Sequence, residues 1–332
     1  MQKLFIIFCI AFIATQVASA APPLLSPDGK ILVSVNIQDK QIKYTISYNG
    51  VQVLQPSKLG LMLTGIDFTK NLHLLKTSPV TSITDNYSMV YAKKKNMQYR
   101  ARQVIYTFAN SVNQKFNIIF RVSNDGVVFR YQFFGKNESR TVQSENTTYH
   151  FPTDARAFVQ PMSVAKTGWE QTNPSYEEHY YQDVPVGTVS KLGAGFVYPA
   201  LFKTNKAWVL ITEAAVEPDW CGTRLNFDNG NSEYKVTFPD PREVIFDKNL
   251  LPKQTMQGYS PWRVITIGPL KTIIESTLGT DVALPSRIKN NSFVKPGKAS
   301  WSWINSKDDF IVYDEQVKYI DFAAAMKAIL PD

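Results

Sequence analysis

From residue 30 onward the chain is dominated by apolar side chains at every second position. Ile42, Tyr44, Ile46 and Tyr48 alternate with Gln41, Lys43, Thr45 and Ser47. A period of two puts successive side chains on opposite faces, so this segment reads as a strand with one buried face. Asn49-Gly50 follows, a pair that tolerates positive φ and closes a tight hairpin into 51–54. Similar β-rich segments occur at 104–108, 116–122, 127–133, 207–212 and 234–238, with Asn124-Asp125-Gly126 turning one of them into the next. No helical period of useful length precedes about residue 269. So many antiparallel strands must stack or close to bury their apolar faces, which predicts a large β-sandwich.

Two stretches depart from this pattern. Residues 141–191 carry Pro152, Pro161, Pro174 and Pro185 around an acidic and aromatic cluster, and are expected to form a long irregular insertion of functional importance. Near 285 the β-rich part ends. Residues 299–304 then read as a short apolar strand. Asp314 is expected to cap a helix from Glu315 to about Ile329, burying Val317, Ile320, Ala324 and Met326, with Phe322 beside them.

The first twenty residues read as a signal peptide. A basic start at Lys3 precedes the apolar run 4–14, and Ala18-Ser19-Ala20 is a small-x-small cleavage site. The mature protein is expected to be periplasmic or secreted, with no membrane attachment after cleavage. Of two cysteines, Cys9 leaves with the signal, so Cys221 has no partner for a disulfide and reads as a small buried hydrophobe. The net charge of +8 comes from 36 Lys and Arg against 28 Asp and Glu and is spread along the chain. Its one dense run, Lys93-Lys94-Lys95 between Tyr91 and Tyr99, reads as a solvated hairpin tip or sheet edge and not as a nucleic-acid patch.

Six motifs follow one another in order: Ser57-Lys58-Leu59-Gly60-Leu61, residues 124–131 (NDGVVFRY), Ile211-Thr212-Glu213-Ala214, residues 260–265 (SPWRVI), Glu275-Ser276-Thr277-Leu278, and residues 295–298 (KPGK) with Trp301-Ser302-Trp303. Together they resemble glycoside hydrolase family 97, a family of calcium-dependent α-glucosidases and α-galactosidases. The resemblance implies a galactose-mutarotase-like β-super-sandwich leading into a (β/α)8 barrel. The expected division is a signal at 1–20, the sandwich at 21–288, and at 289–332 a linker with the first βα unit of a truncated barrel. The chain departs from the family pattern at Ile304, where a second Trp is usual, and after Met326, where a further strand start is usual.

Glycoside hydrolysis requires two carboxyl groups flanking the scissile bond. The resemblance places both on later barrel strands, so no catalytic residue is assigned and the chain alone is expected to be inactive. Residues 175–180 (SYEEHY) resemble a family loop whose Glu ligates calcium, which makes Glu177 the metal candidate, with Glu178 and Asp183 as neighbouring carboxylates. His179 could serve a zinc site with Glu177, but two ligands are too few, and His73 and His150 show no ligand-like spacing. Trp301 and Trp303 are expected on one face of the first barrel strand, either stacking on sugar or packing in the barrel core. Trp262 and Arg263 read as a structural junction. The partner expected is an oligosaccharide with terminal α-glycosidic bonds, and not nucleic acid. The competing reading is a non-catalytic carbohydrate-binding β-sandwich module.

Overall fold

The computed structural model describes residues 22–89, 92–163, 179–227, 232–240, 250–295 and 297–326. These residues divide into two compact units. The first comprises the described residues up to Ser88 together with those from Asn96 to Leu284; the second comprises 89–95 and those from Pro285 onward.

The first unit is built on three sheets. A nine-stranded sheet runs in the order 24–25, 31–38, 41–48, 51–59, 148–150, 233–237, 224–227, 193–196, 161–163. A ten-stranded sheet runs 181–185, 156–159, 200–203, 208–214, 262–268, 126–133, 115–123, 96–109, 73–77, with 81–88 also paired to 96–109. A four-stranded sheet joins 253–255, 139–145, 61–63 and 66–67.

The alternating pattern behaves as its period requires. In Gln41–Tyr48 the four apolar residues are buried and the intervening polar ones are not. Tyr44 on the nine-stranded sheet lies 5.4 Å from Phe129 and 6.1 Å from Phe120 on the ten-stranded sheet. Further along, Tyr234 of the first sheet lies 5.1 Å from Phe202 of the second. The two sheets are therefore packed face to face through rings, the arrangement expected of a sandwich core. Two of the buried hydroxyls in that core are tied down: Tyr44 donates to the Thr148 carbonyl at 2.9 Å, and Gly60 N–H donates to Tyr131 Oη at 2.9 Å.

Gly60 marks a close approach. Its φ is +140°, and a Cβ there would stand 2.3 Å from the Phe68 carbonyl oxygen, so only glycine fits. The outer face of the ten-stranded sheet carries a smaller apolar cluster of Tyr99, Ile119, Val128, Trp262 and Val264. Leu278, on the short helix Leu278–Asp281, packs against it.

Four expectations are corrected. Residues 141–191 are not irregular throughout: Ser139–Glu145, Thr148–His150, Arg156–Val159, Pro161–Ser163 and Tyr181–Pro185 are strands spread over all three sheets. Prolines at strand starts, ends and edges interrupt the pattern locally without ending the sheet. In the second unit, residues 299–304 form no strand. Ser302–Ser306 is a short helix, since a lone apolar strand without a neighbour has nothing to pair with. The later helix is Tyr313–Ala325, beginning after Val312, and Asp314 lies in its first turn and does not cap it. Its expected buried stripe is also wrong. Ile320, Phe322 and Met326 are exposed, and Ala323 is the buried position. The hairpin reading of Lys93–Lys95 agrees with the structure: Thr81–Ser88 and Asn96–Ala109 flank it, and Met89 N–H donates to the Lys95 carbonyl. Tyr99 is buried and offers no stacking face.

Candidate functional site

The most charged interior feature of the sandwich is built on three strands. Arg263 opens Trp262–Gly268, Glu213 sits directly opposite it near the end of Trp208–Ala214, and Glu145 ends Ser139–Glu145. Arg263 grips Glu145 in a bidentate pair, Nε to Oε1 at 2.9 Å and Nη2 to Oε2 at 2.5 Å. Its Nη1 donates to Glu213 Oε2 and, at 3.2 Å, to Thr223 Oγ1. Thr223 in turn donates to Glu213 through both its backbone N–H and its hydroxyl, each at 2.8 Å. Burial acts to lower the pKa of Arg263, but the charges of Glu145 and Glu213 outweigh it and hold it well above the ordinary value. The side chains of Arg263 and Glu145 are 1% and 0% exposed, so the pair survives only because nearly every lone pair and N–H is matched.

Chemically, this centre is a brace and not a catalytic dyad. A general acid must carry a proton it can give up, and a nucleophilic carboxylate must be free to reach substrate. Glu145 and Glu213 are both committed to a guanidinium. Glu213 nevertheless shows one edge to a pocket of about 370 Å³ that Tyr198, Arg224 and Met162 also line.

A second array lies on the outer face of the ten-stranded sheet. The Arg130 guanidinium sits 3.9 Å from the Tyr259 ring centroid and 4.2 Å from that of Trp262, and Arg121 sits 4.8 Å from the same indole. Antiparallel register explains the grouping: Ile119 pairs with Arg130 and Arg121 with Val128, so the two arginines are diagonal neighbours on one face. Beside them runs a row of side-chain hydrogen bonds from Thr107 to Asn117, Asn117 to Gln132, and Gln132 to Tyr259 Oη, at 2.7, 2.8 and 3.1 Å.

The sequence-predicted site residues are placed as follows. Glu177 and Glu178 lie outside the described residues. Asp183 is described, and it is paired with Arg156 at 3.3 Å. Among the described residues no three carboxylate, His or Cys side chains group as metal ligands, so those residues alone do not fit a calcium site. Trp301 and Trp303 do come together, but not on a strand. Their rings stack on each other at 6.0 Å and 20°, Trp303 Nε1 donates to Asp308 Oδ1 at 2.7 Å, and Trp301 is 60% exposed. Cys221 is half-buried, and burial pushes its thiol up to about 12, which leaves it protonated and unreactive at neutral pH.

The family description "Glycosyl-hydrolase 97 N-terminal" matches residues 24–285, the whole sandwich. The chain belongs to glycoside hydrolase family 97. Curated family 97 relatives include a retaining alpha-galactosidase of Bacteroides thetaiotaomicron, 27% identical over 98% of this chain and 52% of its own length. A probable retaining alpha-galactosidase of Streptomyces bingchenggensis is 28% identical over 84% of this chain and 40% of its own length. Among solved structures, a beta-arabinopyranosidase is 38% identical with a TM-score of 0.85, over 92% of this chain and 49% of its own. A family 97 enzyme from Pseudoalteromonas sp. strain K8, solved with panose, has a TM-score of 0.73 at 21% identity, covering 92% of this chain and 46% of its own. The chain thus spans about half the length of these relatives.

The sequence marks Arg263 as part of a structural junction but does not single out the carboxylates it holds. Glu213, Arg263 and Arg130 each sit inside a stretch that carries the family 97 resemblance. A charged residue inside a strand-like apolar run is costly unless paired, so such residues mark where partners must meet. Glu145 and Thr223 stand in no such motif and carry no equivalent signal.

Proposed function

We propose that this chain is the sandwich part of an exported enzyme that cleaves terminal α-glycosidic bonds of oligosaccharides. The observation that carries the reading is the match of residues 24–285 to the family's N-terminal domain, with relatives named as alpha-galactosidases and a beta-arabinopyranosidase. The expected export signal at 1–20 supports a periplasmic or secreted location.

In this reading the chain hydrolyses nothing by itself. Glu145 and Glu213, the interior carboxylates of the sandwich, are held by Arg263 and have no role as acid or nucleophile. The role of the domain is to present the 175–180 loop to a catalytic barrel, with Glu177 as one oxygen ligand of a calcium ion. Calcium takes six to eight oxygens, so the barrel must supply most of them.

The test is to join this sandwich to the barrel of an active family 97 enzyme and compare Glu177→Gln with Glu178→Gln. The expected result is activity that loses its calcium dependence in Glu177→Gln alone. Loss in Glu178→Gln alone would move the ligand by one residue, and loss in neither would remove calcium from the role of this loop. Hydrolysis of aryl α-galactosides by the unjoined chain, co-purifying with it, would overturn the inactive reading.

A further inference from the structure

One pocket of the sandwich, of about 390 Å³, opens beside the Arg130 and Tyr259 stack. Its polar lining includes Arg130, Tyr259, Glu217, Asp219, Gln254 and Ser260. All lie within the first compact unit, remote in sequence from residues 175–180.

Three observations distinguish this pocket from an ordinary surface dent. First, its polar groups are incompletely satisfied. Gln254 is 1% exposed and its Oε1 has no hydrogen-bond partner, and Arg130 Nε is likewise buried and unpartnered. Buried groups of this kind are rare in folded proteins and need a reason. Second, Arg130 has no carboxylate partner among the described residues; it is held by two aromatic rings. Burial, with the nearby charge of Arg121, drags its pKa down to about 10, the mark of a cation without compensation. Third, the wall is rigid. Gln132 Nε2 fixes the Tyr259 hydroxyl, Tyr131 N–H fixes Ser260 Oγ at 2.9 Å, and Gly258 N–H closes a turn on Thr255 at 3.0 Å. A Cβ at Gly258 would stand 2.4 Å from Gln254 Nε2, so glycine keeps the amide in place.

The groups decide the class of ligand. An anion would meet Arg130 but also Glu217 and Asp219. A cation would meet those acids but also Arg130. A neutral polyol satisfies both, because each hydroxyl donates to a carboxylate or to Gln254 Oε1 and accepts from a guanidinium. Tyr259, 44% exposed, adds a flat apolar surface for the C–H face of a sugar ring. We propose that the pocket walled by Arg130, Tyr259, Gln254, Glu217 and Asp219 is a second, non-hydrolytic binding site for a neutral glycosyl unit. Its role is to hold glycan on the sandwich while another part of the chain, or another molecule of it, is engaged elsewhere.

The test is titration calorimetry of the full chain with galactose, melibiose and maltotriose, with galacturonate and glucosamine as charged comparisons. At least one neutral sugar is expected to bind, and Tyr259→Ala to weaken it by about tenfold or more while the melting temperature holds. Arg130→Gln is a second probe of the same wall. Glu177→Gln should leave binding unchanged, which separates this site from the proposed calcium loop. The inference fails if no neutral sugar binds, if binding survives Tyr259→Ala, or if galacturonate or glucosamine binds more tightly than galactose.

Discussion

Arg263 closes a bidentate ion pair on Glu145, 118 residues earlier in the chain, with both side chains cut off from solvent. The same guanidinium reaches Glu213, 50 residues earlier. One side chain thus fastens strands of the four-stranded and ten-stranded sheets at a single point.

Removing that cation leaves two carboxylates in the interior with no countercharge. Arg263→Met should cost about 3–5 kcal/mol, the range for breaking a buried pair from one side. Urea unfolding measures it. Adding Glu145→Gln and Glu213→Gln to Arg263→Met should recover part of the loss, because the stranded charges go too. A triple variant no more stable than Arg263→Met would mean the charges are not the cause.

Gly60 and Gly50 should respond differently to substitution. At Gly60 a Cβ collides with the Phe68 carbonyl, whereas at Gly50, φ +78°, nothing lies within 4 Å. Gly60→Ala should lower stability by at least 1–3 kcal/mol, roughly the cost of a strained backbone plus a displaced turn. Gly50→Asn, in a conformation that Asn tolerates, should cost much less. Thermal unfolding of the two variants side by side tests the ranking.

Alkali should unfold the protein cooperatively. Burial pushes Tyr87, Tyr106 and Tyr234 up to about 12, and the Cys221 thiol likewise. In the unfolded chain these groups ionise near 10 for Tyr and about 8.5 for Cys. Between those values and 12 the folded state binds more protons than the unfolded state, so stability falls as pH rises through that window. Ultraviolet titration should show the exposed tyrosines ionising first and the buried ones only as the fold is lost. A single smooth titration of all sixteen tyrosines with the fold intact would contradict it.

Both apolar clusters lie wholly before residue 285. A chain stopped after Leu284 should therefore keep a cooperative melt, read by circular dichroism. Loss of cooperativity would show that the second unit contributes to the first.

The sandwich was legible because alternation is a local signal. Ile42, Tyr44, Ile46 and Tyr48 declare their buried face without reference to any other segment. Trp301-Ser302-Trp303 carries the same local alternation, and there it misleads. Three alternating residues fit a strand or one helical turn equally, and without a pairing neighbour the turn makes its own hydrogen bonds. The Arg263 brace was illegible for the opposite reason. Its partners lie 118 and 50 residues away along the chain, and nothing within ten residues of Glu145 points to a residue at 263. The Arg130 pocket depends on the same long-range assembly, since Tyr259 reaches Arg130 only through the pairing of distant strands.

The strand order of the ten-stranded sheet has a consequence for how the protein acquires its shape. Trp262–Gly268 lies at the middle of that sheet, between Trp208–Ala214 and Gly126–Phe133, yet it is the last strand in sequence among the described residues. Without it, the pairing order of the sheet falls into two separate halves, each ending in an apolar strand. Such edges invite pairing with other chains. A chain interrupted before residue 262 lacks the strand that joins the two halves of this sheet, and leaves the edges of Trp208–Ala214 and Gly126–Phe133 that it would pair with uncovered.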